Sequence, residues 1–546
     1  MLILLLITII TFLLFFILKQ KNNYWKNRGI PGPEPLFLKG NIDLIFGKNN
    51  PSALQLFNWT KKYGRIYGIK NGWFNVLVIS EPELIKELII DKFEYFHEKS
   101  LRVKLIYACS FGKQTTNDLS PLLGDVDTKK LIHLFAAKGK RWKRLRSIAN
   151  PAFSISNLKR IMPIIDDSIK INIKLLKQVQ SSGKYVDLHE YFVELAFDII
   201  YRVAMGQKDS RQFNSEYCQL AQDAFVRVNN NIFDYLSFIF PLFGEYILNP
   251  FVLFTGKLRR DPFNILIEKI YEAVKQRKEE KMKKNEMEEE NDENNLNKKG
   301  VDFIDLFLES EAENIAVEFK TNNGTYNKKE KFDRCNTLDE IVHNCFLFLL
   351  AGFDTSANTL SLISHNLVIY PEVQKRLFEE IEEICGLEEG EMPSYEQLSK
   401  LKYADAVLKE TLRLCPIATD VLIRKCEKTT TLGDITIEKG TVVSTDLFTL
   451  HRDKKIWGED SEEFKPERWL NNEGNIITPT AFYPFGGGPR ICIGMRLAFM
   501  EIKMILVHLL RSFELERCSE TKVELNLTGQ VVMNSGSIVV KLNLRK

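Results

Sequence analysis

The run Phe485-Gly-Gly-Gly-Pro-Arg-Ile-Cys-Ile-Gly494 gathers residue types suited to chemistry on a metal. Three consecutive glycines and a proline force a tight loop, and the pattern predicts a helix over Met495–Leu510 directly after it. Cys492 therefore sits where a loop enters a helix N-terminus. Backbone N–H groups and the positive end of the helix dipole stabilise a thiolate there and temper its donation to a metal. Glycines also let a flat macrocycle approach the backbone closely, and Arg490 is placed to meet an acidic substituent of such a ring. A lone cysteine is more often a small buried hydrophobe. The phenylalanine, glycines and arginine around Cys492 weigh against that here.

Other residues stand out by context. Asp354 and Thr355 are polar within a long apolar helix expected from about Leu338 to Tyr370, and Gly352 should weaken that helix. A buried acid beside a hydroxyl is expensive unless it has partners or work. Glu410 and Arg413 lie at i and i+3 on one helix face, a pairing that many surface helices carry. Trp142 and Arg146, four apart, also share a face. His451 in Leu-His-Arg-Asp453 is a tempting metal ligand.

Taken together, the FxxGxRxCxG loop around Cys492 resembles the heme-binding loop of the cytochrome P-450 superfamily. The likeness extends over nearly the whole chain after residue 30. It is most similar to the animal microsomal family-3 type, through Ala351-Gly-Phe-Asp-Thr-Ser356 and Cys492-Ile-Gly-Met-Arg-Leu-Ala498. The resemblance implies heme b (iron protoporphyrin IX) with Cys492 as proximal thiolate ligand, which favours O–O cleavage. Because it makes cysteine the proximal ligand and leaves the distal side to oxygen, His451 is not expected to bind the metal. It makes Phe485, Arg490 and Gly494 part of the cofactor loop. It also implies that Thr355 hydrogen-bonds dioxygen while Asp354 helps relay protons. Glu410, Arg413 and Arg468 (in Phe464-Lys-Pro-Glu-Arg-Trp469) would form a structural lock behind the loop. Trp142, Arg146 and Arg424 would meet heme propionates, for which guanidinium offers paired donors.

The elements that must hold these residues follow. Leu2–Leu18 is free of charge, and seventeen helical residues span roughly 26 Å, enough for a thin bilayer. Lys19, Lys21, Lys26 and Arg28 come after it, so the positive-inside rule expects residues 1–18 to be an endoplasmic reticulum anchor with the rest cytosolic. Residues 19–50 form a basic, Pro-rich linker, in which Pro31–Pro35 reads as a stiff lead fixing a tilt, or as a plain linker. Residues 51–546 make one catalytic domain, although length alone would suggest more. Polar insertions are expected near 277–300, as a disordered segment or a solvated loop, and near 316–337, as a second surface insertion. Short strand-like pieces appear at Asn75–Ile79 and Asp434–Ser444. Tyr235–Phe254 is apolar but broken by Pro241, Gly244 and Pro250, so a core segment and a loop dipping into the bilayer are both open. The stretch between His97 and Trp142 is longer than the superfamily's usual, which removes any basis for guessing a substrate by analogy.

A net charge of +3 over 546 residues argues against nucleic acid as a partner. Nine scattered cysteines without a CxxC spacing read as reduced thiols. The fold expected is mainly α with a small β portion, the cytochrome P-450 fold behind a single transmembrane helix. The reaction expected is insertion of one atom of O2 into a lipophilic substrate. No nucleotide fingerprint is evident, so electrons must come from outside; the resemblance implies an NADPH–cytochrome P-450 reductase as their source, with cytochrome b5 as a second donor. Lys138, Lys140, Lys143 and Arg144 read either as its docking patch or as a merely solvated helix face. Two rivals are a heme-thiolate isomerase or dehydratase, disfavoured by the intact Asp354-Thr355 pair, and a non-catalytic heme sensor.

Overall fold

Apolar residues recurring every three to four positions build most of this chain as helix, and β-structure is confined to short pieces. The computed structural model describes residues 2–45, 51–99, 133–229, 262–288, 302–309, 337–470, 479–529 and 532–545, with isolated positions between 236 and 251. The helices that position the site are α1 (Leu2–Asn22), α2 (Gly139–Ala149), α3 (Leu188–Met205), α4 (Leu338–Ile369), α5 (Lys402–Leu414) and α6 (Met495–Ser512). The principal core is shared by α3, α4, α6 and the helix Ile155–Ser181.

α4 is the central beam. Thr337 caps it in a reciprocal box: Glu340 N–H donates to Thr337 Oγ1 at 3.2 Å, and Thr337 N–H to Glu340 Oε2 at 3.2 Å. Thr337 thus belongs to the helix rather than to the polar insertion expected there; residues 316–336 lie outside the described residues. The weakening expected at Gly352 does not occur, since α4 runs unbroken through it. A Cβ at Gly352 would lie 2.7 Å from Ile200 Cγ1, so the glycine is there to let α3 pack against α4. Among the described residues, α4 is the helix long and apolar enough to cross a membrane, and 78% of its apolar window is buried inside the protein, as in a core helix. The expected anchor, residues 2–18, lies within α1, which continues through the basic residues to Asn22.

A five-stranded sheet flanks this helical body, formed by β1 (Ile66–Asn71), β2 (Phe74–Ile79), β3 (Glu98–Lys99), β4 (Arg424–Lys425) and β5 (Val442–Thr445) in the order β1-β2-β5-β4-β3. β2 and β5 are parallel, with Val76 opposite Val442; the other pairs are antiparallel. The piece expected at Asp434–Ser444 divides in two. Ile435–Ile437 pairs with Thr430–Leu432, and a turn at Gly440 (φ 90°) redirects the chain into β5.

The polar stretch expected as a loop from Arg277 begins as helix instead, within Pro262–Glu288. Its Lys and Glu residues are good helix formers, and Arg277 ties the helix to Asp302 (2.7 Å) and Asp305 (3.2 Å). Residues 289–301 lie outside the described residues, as do 100–132 of the long stretch before Trp142. Within Tyr235–Phe254, Ile239 and Leu248 are buried while Phe240, Phe243, Tyr246, Ile247 and Phe251 are exposed. A wholly buried core segment does not describe these positions.

Candidate active site

The cysteine loop closes on itself through backbone bonds. Cys492 N–H donates to Phe485 O at 2.9 Å, and Gly486 N–H to Tyr483 O at 2.9 Å. Gly486 (φ 72°) and Gly488 (φ 64°) adopt left-handed backbone that only glycine takes without strain. Two of the glycines pack closely on protein: a Cβ at Gly487 would lie 2.6 Å from Ile89 Cδ1, and one at Gly488 would strike Ile89 O. Gly494 is different, with Phe153 at 3.7 Å and the Cys492 sulfur at 4.0 Å from its Cβ position, so it leaves room at the thiol. Phe485 packs on Phe499 of α6, ring centroids 5.6 Å apart.

Cys492 lies deep among protein atoms yet keeps an exposed surface, so it borders open space rather than packed core. Burial pushes its thiol up. The Gly494 N–H, Arg146, Lys99 and the Met495 N–H oppose this by favouring the thiolate.

Around the sulfur the fold concentrates cations. The register of β3 and β4 sets Lys99 directly opposite Arg424, two like charges on one face. Arg424 is 1% exposed, and burial lowers it to about 10. Arg490 is buried too, with its guanidinium 4.5 Å from the Trp142 ring and Nη2 donating to Ala137 O at 2.6 Å. Its Nε has no hydrogen-bond partner among the described residues. Arg146, four residues beyond the buried Trp142 on α2, donates to Ile491 O at 2.9 Å. Burial, then Arg424, holds both Lys99 and Arg490 well below their ordinary values. Glu98 opposes part of this charge but is shared with Lys138 (3.6 Å) and Lys425 (3.8 Å). Trp142, Arg146, Arg424 and Arg490, singled out in the sequence, are thus brought together at Cys492. Lys99 was missed, because a two-residue strand gives no signal of its partner. Buried Arg424 and Arg490 beside half-buried Lys99 and Arg146 place like charges together, an arrangement that favours anions. Two propionate carboxylates and a cysteine thiolate would supply them, so the residues present fit a heme.

Comparison with known proteins decides the matter. The family profile for cytochrome P450 matches residues 30–542. The chain belongs to the cytochrome P450 family. Caenorhabditis elegans cytochrome P450 CYP13A7 is 37% identical over 96% of this chain and 95% of its own length. CYP13A1 is 37% identical over the same shares, and cyp-13B1 is 36% identical over 96% of each chain. Membership makes the chain a heme-thiolate monooxygenase by class, with heme as its cofactor.

Other P450 features occupy separate places in this chain. On α4, Ala351 is exposed and Thr355 half-buried, one turn apart, although the residues on both sides are mostly buried. The helix therefore opens one short face to free space. Thr355 Oγ1 donates to Ala351 O at 2.7 Å. Asp354 points about 100° away around the helix, where Asn358 Nδ2 donates to its Oδ1 at 3.2 Å and is itself fixed by Ser535 N–H at 3.0 Å. Burial raises the Asp354 carboxyl to about 6, against the Asn358 bond that lowers it. Asn358 was also missed, although its place four residues after an acid in an apolar helix was visible. A separate cavity of about 440 Å³ adjoins the cysteine loop at Phe485, Met495 and Lys503, and includes none of Cys492, Asp354 and Thr355.

The predicted lock is complete. Arg413, fully buried, clasps Glu410 through Nε and Nη2, both at 2.8 Å. Arg468 Nε donates to Glu410 Oε1 at 2.8 Å and the Trp469 indole to Oε2 at 2.9 Å. Arg413 Nη1 then reaches His451 O at 2.8 Å. His451 Nε2 accepts Tyr483 N–H at 3.1 Å, so this histidine is a neutral structural acceptor, lowered to about 3 by burial. Through Tyr483 O the chain of bonds arrives at the cysteine loop. Much of the expected docking patch is committed within the chain: Arg144 pairs with Glu340 at 2.6 Å, Lys138 with Glu98 and Lys143 with Glu94 at 3.9 Å, leaving Lys140 exposed.

Proposed function

We propose that Cys492 ligates the heme iron, that Trp142, Arg146, Arg424, Arg490 and Lys99 hold its propionates, and that the reaction inserts one atom of O2 into a lipophilic substrate. The single observation that carries this is the convergence of Arg424, Arg490, Lys99 and Arg146 near one thiol at a helix N-terminus. Bound heme supplies the oxygen-activating redox chemistry. The chain supplies the rest. Amides of Gly494 and Met495 temper the sulfur charge. The face of α4 at Ala351 and Thr355 gives a hydroxyl for positioning oxygen. Asp354, raised by burial to about 6 against the opposing Asn358 bond, exchanges a proton close to neutral pH, as a relay group must.

Electrons come from an NADPH-dependent reductase, with cytochrome b5 as a second donor. α1 anchors the protein in the endoplasmic reticulum, and Lys19, Lys21, Lys26 and Arg28 keep the body on the cytosolic side. The isomerase and sensor alternatives are disfavoured because Asp354 and Thr355, the acid and hydroxyl that oxygen activation uses, are both present. The test is Thr355→Ala in the full-length holoenzyme with reductase. NADPH consumption should persist while the ratio of hydrogen peroxide to product rises severalfold, since a poorly positioned proton donor uncouples the reaction. An unchanged ratio would reduce Thr355 to a packing residue.

A further inference from the structure

The segment between α1 and the first sheet is built into the catalytic body. α1 ends at Asn22, but the hydrogen bonding carries on: Asn23 N–H donates to Lys19 O at 3.1 Å and Tyr24 N–H to Lys21 O at 3.3 Å. The turn Lys26–Arg28 follows, with Asn27 N–H on Asn23 O at 2.9 Å. Trp25 in this continuous run is 6% exposed, and its indole N–H donates to Ile69 O of β1 at 3.1 Å. Gly68 makes the socket, since a Cβ there would fall within the Trp25 ring. Gly68 N–H also donates to Pro31 O at 2.8 Å, which draws the Pro-rich run onto the same strand.

The joint is latched outside as well. The Tyr24 hydroxyl donates to Glu438 Oε2 at 3.0 Å, Arg28 Nη2 to Glu438 Oε1 at 2.6 Å, and the Arg28 guanidinium lies 3.6 Å over the Tyr24 ring. The Lys21 ammonium lies 3.6 Å over the Trp73 ring beyond β1. On the other flank Phe15 of α1 meets Phe37, centroids 5.8 Å apart, in a turn where Leu36 and Phe37 are exposed.

We infer that Trp25 is the plug of a rigid joint that fixes the catalytic body at one tilt to the bilayer surface. This rests on the reading of α1 as an anchor. A free tether of this length would let the body sample many orientations. A plugged one forces α1 and the β1–β2 hairpin to move together. The bilayer is the partner because Leu36 and Phe37 extend the apolar surface of α1 at Phe15, and Lys19 and Lys21 close α1 at headgroup depth.

The test uses full-length holoprotein in phosphatidylcholine–phosphatidylserine bilayers oriented on a support. Linear dichroism of the heme band reads the spread of tilt. The parent should show strong dichroism. Trp25→Ala should collapse it toward the isotropic value while keeping the carbon monoxide spectrum and membrane retention. Trp25→Phe should restore most of it. Tryptic cleavage after Lys26 and Arg28 should accelerate on the order of tenfold in Trp25→Ala, because a docked segment must open before it is cut. Unchanged dichroism and cleavage in Trp25→Ala would overturn the joint alone. If that variant does not take up heme, Glu438→Ala releases Tyr24 and Arg28 without touching the core; partial loss of dichroism supports the joint, and no loss overturns it. Release of the parent from membranes by alkaline carbonate would overturn the anchor reading itself, and the joint with it.

Discussion

The lock at Glu410 and the cation cluster at Cys492 are both buried and charged, yet they are opposite designs. In the lock, Glu410 accepts from Arg413, Arg468, Trp469 and the Lys465 N–H, and Arg413 spends its remaining donors on carbonyls of His451, Ser461 and Glu463. Charge is balanced and geometry satisfied within the chain. At the cysteine, Lys99 faces Arg424, Arg490 keeps a partnerless Nε, and the opposing Glu98 is shared with other lysines. One region balances its charges within the chain, and the other gathers charges of one sign around a thiol. A buried charge network therefore speaks for structure when it is satisfied and for binding when it is not.

The contrast predicts opposite responses to removal of one charge. Glu410→Ala strips the fully buried Arg413 of its carboxylate and leaves Arg468 only Asp460 at 3.4 Å, and should destabilise the fold by about 3–5 kcal/mol; chemical denaturation with and without heme would measure it. A loss under 1 kcal/mol would erase the distinction. Arg424→Met relieves like-charge crowding, so the apoprotein should gain stability, by about 1 kcal/mol or more, while heme is released on the order of tenfold faster. Apo stability that falls along with heme affinity would make Arg424 another structural charge.

Asp354 sharpens the comparison at smaller scale. Its folded value, about 6, lies above that of a free aspartate, so the folded chain holds this proton more tightly than the unfolded one. Its burden on stability is therefore absent well below pH 4 and grows as pH rises toward 6, the reverse of a salt-bridged acid. Turnover that needs the protonated carboxyl should fall as pH rises through about 6, and Asp354→Asn should flatten that limb of the profile. A limb retained in Asp354→Asn would assign the proton elsewhere.

What the sequence disclosed depended on how local each constraint was. α4 was legible to within a residue because its apolar run is long and capped, and Trp142 with Arg146 because four-residue spacing shares a helix face. The cysteine loop and its helix were legible from glycine, proline and the residues after them. Lys99 was not, since its role comes from a strand register joining positions far apart in the chain. Gly352 misled for the same reason: it yields to Ile200, a contact that no local pattern records. Trp25 was read as linker because its socket at Gly68 belongs to a strand that follows it. The stretch after Arg277 was read as solvated loop because polarity hides the helix-forming strength of Lys and Glu.

The central claim is that the cation cluster and Cys492 hold one heme, with sulfur on the iron. The most direct measurement is the carbon monoxide difference spectrum of the reduced full-length protein, parent against Cys492→Ser. The parent should show the red-shifted Soret band of a thiolate-ligated heme, and Cys492→Ser should lose it while the Arg146, Arg424 and Arg490 cluster still retains some bound heme. A Cys492→Ser protein that kept the red-shifted band would contradict the account.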